Sequence, residues 1–132
     1  MEIQVSEEQG RVPVTVFHII GEINAQNAGQ LEAEATKAYD AGCRSLLLDL
    51  ARVPYISSYG VRTISSIFNM FRAGVQIEDN AHLDRGLRDG SFKSSRLKLL
   101  NPTSQVLKVL NTAGVDMFLD IYNDRAKAIA AF

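Results

Sequence analysis

The chain has 132 residues, with 14 Lys and Arg against 15 Asp and Glu, a net charge of −1 and a single cysteine. That length sets one domain with one real core, burying roughly two-thirds of its extended surface. Balanced charge without a Lys/Arg cluster excludes a nucleic-acid footprint, one cysteine excludes an internal disulfide, and no apolar run approaches the ~20 residues that span a bilayer.

Met1-Glu2-Ile3 lacks the basic start and apolar core of a signal peptide, so a reducing, cytoplasmic setting is expected. Glu2 to Val5 reads as a short first strand and Ser6 to Arg11 as a turn. Val12 to Ile20 is rich in β-branched residues and reads as a strand, with Pro13 at its edge or start. His18 lies inside it, and a lone strand histidine is far more often structural than catalytic or metal-binding. Gly21-Glu22-Ile23-Asn24 ends that strand. Ala25 to Ala41 is then a helix, with Ala28, Leu31, Ala35 and Ala38 as its buried stripe and Glu32 and Glu34 on its wet side. Gly42 fits the left-handed stop after a helix. Cys43, beside the next strand, reads as a small core residue.

Leu46 to Leu50 is almost unbroken apolar sequence, as expected for a strand buried on both faces of a parallel sheet. Pro54 ends it, because proline lacks an N–H and pushes Val53 away from helical geometry. Ser57-Ser58 then precedes a helical period through Val61, Ile64, Ser65 and Phe68, in a helix from about Tyr59 to Ala73. On these residues alone, Ser57 or Ser58 is a plain N-cap. A serine at a helix N-terminus is also well placed to hold a phosphate. Gly60 beside it removes a side chain and would open the surface to a partner.

Residues 74–95 break the rhythm with mixed charges and three glycines, and read as a long surface loop with a helical turn near Ala81 to Leu87. His82 with Asp79 and Asp84 matches no metal spacing. Arg96 to Leu100 is another strand. Asn101 caps a helix with Pro102 at its first position, and Val106, Leu107, Leu110 and Ala113 face inward before Gly114 stops it. Met117 to Tyr122 is a last strand. Asn123-Asp124 caps a final helix with Ala126, Ile129 and Ala130 as its apolar side. Strands alternating with helices argue for an α/β fold, with early strands that pair antiparallel in a mixed sheet.

The stretch Asp49-Leu50 followed by Ser57-Ser58-Tyr59-Gly60-Val61 resembles the signature of the STAS domain, shared by anti-sigma factor antagonists and sulphate transporter tails. Gly21-Glu22-Ile23-Asn24 and the tail from Asn101-Pro102 through Gly114 to Asp124 are also similar to it. The resemblance implies a single STAS-like domain, with a mixed sheet of four or five strands and helices packed mainly on one side. It makes 74–95 an insertion, because the family's loop there is short. It puts Ser58 on the family's phosphorylatable serine, with Ser57 and Asn24 where aspartates are usual and Tyr59 where a small residue is usual. The turn at Asn24 should lie beside the phosphorylation loop.

The implied function is a partner-switching regulator and not an enzyme. Its partner would be an anti-sigma factor or related serine kinase that brings its own ATP, so no cofactor or metal is expected. Asn24, Ser57, Tyr59, Gly60, Arg62 and Thr63 would line the contact surface around Ser58. A STAS module that docks without being phosphorylated is the alternative, favoured by Asn24 and Ser57. A weak homodimer is compatible with this reading. No nucleotide motif is present. A serine esterase built on Ser58 is improbable, since Ile56 stands where Gly-x-Ser-x-Gly needs its first glycine and only His18 and His82 could act as base.

Overall fold

The computed structural model describes residues 1–72 and 96–132. The expected insertion at 74–95, with its helical turn and His82, lies outside the described residues. Five strands form one sheet in the order β1 (Glu2–Gln9), β2 (Pro13–Ile20), β3 (Leu46–Arg52), β4 (Leu97–Leu100) and β5 (Asp120–Tyr122). β1 and β2 are an antiparallel hairpin, and β2 to β5 run parallel. The mixed α/β sheet is therefore as the sequence led one to expect.

Among the described residues four α-helices accompany it: α1 (Ala28–Asp40), α2 (Ser58–Arg72), α3 (Ser104–Thr112) and α4 (Arg125–Ala130). Alternation along each strand divides the sheet into two faces. Phe17, Ile19, Leu46, Leu48, Leu50, Leu97 and Leu99 point to one face and form the main core with Leu31, Ile64, Ile67, Phe71, Val106 and Leu110 of α1 to α3. Val14, Val16, Leu47 and Leu100 point to the other, where Ala128 of the short α4 covers them. β3 is thus buried on both sides, which is why its sequence runs apolar without alternation.

Several boundaries differ from the sequence expectation, each for a local reason. β1 continues through Ser6 to Gln9 instead of turning there. As the outermost strand it has little to bury, so its polar residues hid it. The α2 stripe is Gly60, Thr63, Ile64, Ile67, Phe68 and Phe71; Ile64 and Phe68 are buried as expected, while Val61 and Ser65 are only half-buried. Asn101 does not cap α3. It turns left-handed at φ 52°, and Thr103 is the cap, accepting the Val106 N–H at 3.3 Å. Asparagine tolerates that conformation better than most residues. Val115–Met117 is a 3-10 turn, and β5 shrinks to three residues. In α4 the buried residue is Ala128, with Ala126 and Ala130 exposed.

Candidate functional site

The C-terminal end of β3 leads into a loop, Val53 to Ser57, that crosses beside the turn Gly21 to Asn27. Backbone bonds join the two. Gly21 N–H donates to Arg52 O at 3.1 Å, Ile23 N–H to Tyr55 O at 3.0 Å, and Ser57 N–H to Ile23 O at 2.9 Å. Ile23 and Ile56 form a parallel bridge and are fully buried. Thr103 at the start of α3 donates to the carbonyl of Val53 at 3.2 Å. The loop therefore leaves the sheet in a fixed direction and delivers Ser57 and Ser58 to the start of α2.

The two serines have different roles. Ser57 is the cap: its Oγ accepts the Gly60 N–H at 3.4 Å and its carbonyl takes the Val61 N–H at 3.0 Å. Ser58 is the first residue of α2 and is exposed. Among the described residues its hydroxyl has no hydrogen-bond partner. The first turn of α2 carries no acidic residue, so the positive end of its dipole is not offset locally.

Tyr59 projects outward at 53% exposure, and the Arg62 guanidinium lies 5.6 Å from its ring centroid. Arg62 is exposed and stands one turn beyond Ser58. Gly60 and Thr63 belong elsewhere. Gly60 is buried, and a Cβ there would sit 2.5 Å from Ile56 Cγ1 and 2.9 Å from Ile23 Cγ2. Its lack of a side chain lets α2 close onto the loop and does not open the surface. Thr63 is 6% exposed and faces the core, as its position three residues after Gly60 on one helical face requires.

Asn24 is half-buried and organises its own turn. Its Oδ1 accepts the Gln26 N–H at 2.9 Å and the Asn27 N–H at 3.2 Å, and its Nδ2 donates to Glu22 Oε1 at 2.9 Å. It is a turn residue before α1, not the cap of α1, whose capping position is Asn27. Sequence reasoning missed Tyr55, which is 44% exposed on the loop. The signal was there: it stands between Val53 and Ile56, both fully buried, in a loop that must show one face to water.

His18 is structural, as expected. Its Nδ1 meets Asp49 Oδ2 at 2.9 Å and its Nε2 meets Ser6 Oγ at 3.0 Å. Both ring nitrogens are thus engaged by Asp49 and Ser6, so His18 is not placed as the base of an esterase; His82 lies outside the described residues. Among the described residues no group of three or more His, Cys, Asp or Glu could hold a metal ion. No helix among them is long and apolar enough to cross a membrane.

The site is thus an exposed serine at the start of a helix, set on a loop at the end of a central parallel strand of an α/β domain. The STAS domain model matches residues 4–78, and the chain belongs to the STAS domain family. BtrV of Bordetella bronchiseptica, a protein assigned as an anti-sigma factor antagonist, is 31% identical over 112 residues, covering 85% of this chain and 80% of BtrV. An anti-sigma factor antagonist from Mycobacterium paratuberculosis superposes with a TM-score of 0.70 at 17% identity, covering 98% of this chain and 93% of that one. The anti-sigma factor antagonist SpoIIAA in its unphosphorylated form gives 0.69 at 18% identity, over 97% and 93%. Proteins of this kind are regulatory binding proteins and not enzymes.

Proposed function

We propose that this chain is a partner-switching regulator of the anti-sigma factor antagonist type, phosphorylated on Ser58 by a serine kinase that is also its binding partner. The observation that carries this reading is the division of labour at the start of α2. Ser57 holds the cap, and Ser58 is exposed, with a hydroxyl that has no partner among the described residues. Ser57 here keeps the capping function that an aspartate would perform at the same place. A phosphate on Ser58 adds about −1.5 to −2 charges at neutral pH. The helix dipole favours it by roughly 0.3–1 kcal/mol, and Arg62 lies one turn along the same face. The domain itself should hardly change. The effect falls on a partner seated over Asn24, Ser57, Ser58, Tyr59 and Arg62, to which Tyr55 is added. A cytoplasmic setting goes with this reading, since the kinase draws on ATP.

The rival is a docking module that is never phosphorylated. One observation favours it: the Asn24 amide spends its hydrogen bonds within its own turn and with Glu22, and offers no carboxylate beside the serine. Intact mass of the protein recovered from its native host separates the two. A fraction heavier by one phosphate, absent in Ser58→Ala, supports the switch. A single unmodified mass under all growth conditions supports docking alone.

A further inference from the structure

The Ser6–His18–Asp49 chain lies on the sheet face opposite α1 to α3. It joins three strands, and its last member acts on backbone. Asp49 Oδ2 takes the His18 ring at 2.9 Å, while Oδ1 accepts the N–H of Ala51, two residues on, at 3.1 Å. At that point the β2–β3 register slips. His18 pairs with Asp49, but Ile20 pairs with Arg52, so Leu50 and Ala51 together oppose Ile19. β4 has also ended, since Asp49 is the last residue of β3 with a β4 partner, Leu100. β3 therefore turns out of the sheet through a bulge that has only β2 beside it. Bulges of this kind re-aim a strand, and the side-chain bond from Asp49 to Ala51 is what stiffens this one.

We propose that Asp49, oriented by His18 and Ser6, is a positioning residue that sets the direction of the loop carrying Ser58. The functional consequence of this proposal rests on Ser58 being the phosphoacceptor; the mechanical part does not. A carboxylate can only accept, so His18 Nδ1 carries the proton in the neutral ring and Nε2 accepts from the Ser6 hydroxyl. When the ring takes up a second proton, Nε2 donates and the Ser6 hydroxyl rotates to accept. The chain stays closed in both states. The other charged groups around the ring are Arg52 from β3 and Arg125 from α4, which line a groove of about 310 Å³ with Gln4, His18, Ile20 and Asp49. Glu8 of β1 is paired with Arg125.

Asp49→Asn then has a distinctive behaviour. The carboxamide oxygen keeps the Ala51 N–H, and the amide nitrogen donates to His18 Nδ1 in the other tautomer, whose Nε2–H turns to Ser6. The chain closes again, reversed. It cannot close once both ring nitrogens carry protons, because the amide N–H then faces Nδ1–H. Protonation of the ring should therefore leave the wild-type loop held and release the loop of Asp49→Asn.

The test is amide hydrogen exchange of the whole chain, followed at Gly21, Ile23, Val53 and Ser57, with Cys43, at the opposite end of β3, as the distant control bonded to Ala38 O at 2.9 Å. Asp49→Ala and His18→Ala should speed the four loop amides on the order of tenfold, the loss expected for a hydrogen bond to a charged group, and leave Cys43 unchanged. Asp49→Asn should match wild type while the ring is neutral and Asp49→Ala once acid has protonated it. Loop amides in Asp49→Ala as slow as in wild type would overturn the proposal. So would an equal rise at Cys43, or an Asp49→Asn chain that is open at every pH. Phosphate incorporation at Ser58 by extract of the native host should fall in Asp49→Ala and recover in Asp49→Asn. If wild type takes up no phosphate, the switch reading fails while the exchange data still decide the positioning role.

Discussion

Gly60 on α2 lies directly over Ile56 of the preceding loop, so close that a Cβ would come within 2.5 Å of Ile56 Cγ1. The same Cβ would meet Ile23 Cγ2 at 2.9 Å, and neither isoleucine has room to yield, since both are fully buried. Gly60→Ala should therefore destabilise the domain by about 1–3 kcal/mol, the usual cost of overpacking a core. Gly29 in α1 is the contrasting site, with nothing within 4 Å of a built Cβ. There Gly→Ala should stabilise by roughly 0.4–1 kcal/mol. Urea unfolding of the two variants reads both effects, and opposite signs are expected.

Thr103 ties α3 to the loop with one hydroxyl, donating to Val53 O and accepting from Val106 N–H. Thr103→Val keeps the shape and loses both bonds. A lost cap costs about 0.5–2 kcal/mol, so Thr103→Val should lower the midpoint of urea unfolding and Thr103→Ser should restore most of it. Equal midpoints for Val and wild type would show that the hydroxyl contributes nothing.

Tyr122 gives a pH signature at the far edge of the sheet. Burial, and then the nearby Asp120 carboxylate, raise its phenol above the ordinary value. The folded state therefore holds this proton longer than the unfolded chain does. Its contribution is complete below about pH 10, where the unfolded phenol titrates, and is lost as pH rises through the raised folded value. The stability difference between wild type and Tyr122→Phe should be flat at neutral pH and shift against wild type only in alkali.

The architecture was legible because β3 and the helices carry strong periods. Leu46 to Leu50 reads as a two-sided buried strand without any tertiary information. The termini of elements were less legible, since they depend on partners. β1 looked half its length because an outer strand can be polar, and α3 is capped by Thr103 and not by Asn101, with the Thr103 hydroxyl also held by the loop carbonyl of Val53. At the site, the motif frame placed Ser57 and Ser58 on the start of α2. Composition around Gly60 did not say which way it faced, and only packing against Ile23 and Ile56 shows that it serves the core. The Ser6–His18–Asp49 chain was invisible in sequence, as its members are separated by 12 and 31 residues.

Tyr59 and Tyr55 stand exposed on either side of the serine pair, and tyrosine is a frequent interface anchor. Tyr59→Ala should weaken partner binding by about tenfold or more while changing stability by no more than about 0.5 kcal/mol, as for other surface substitutions. A large loss of stability would show that the ring packs on its own domain instead.

The switch itself is tested most directly by partner affinity across wild type, Ser58→Ala and Ser58→Glu. The partner is the protein that co-purifies from the native host. An uncompensated charge buried at the contact costs about 3–5 kcal/mol, or roughly two to three powers of ten in affinity. Ser58→Ala should bind as wild type does, and Ser58→Glu should bind clearly worse. Equal binding by Ser58→Ala and Ser58→Glu would contradict a phosphorylation switch at Ser58.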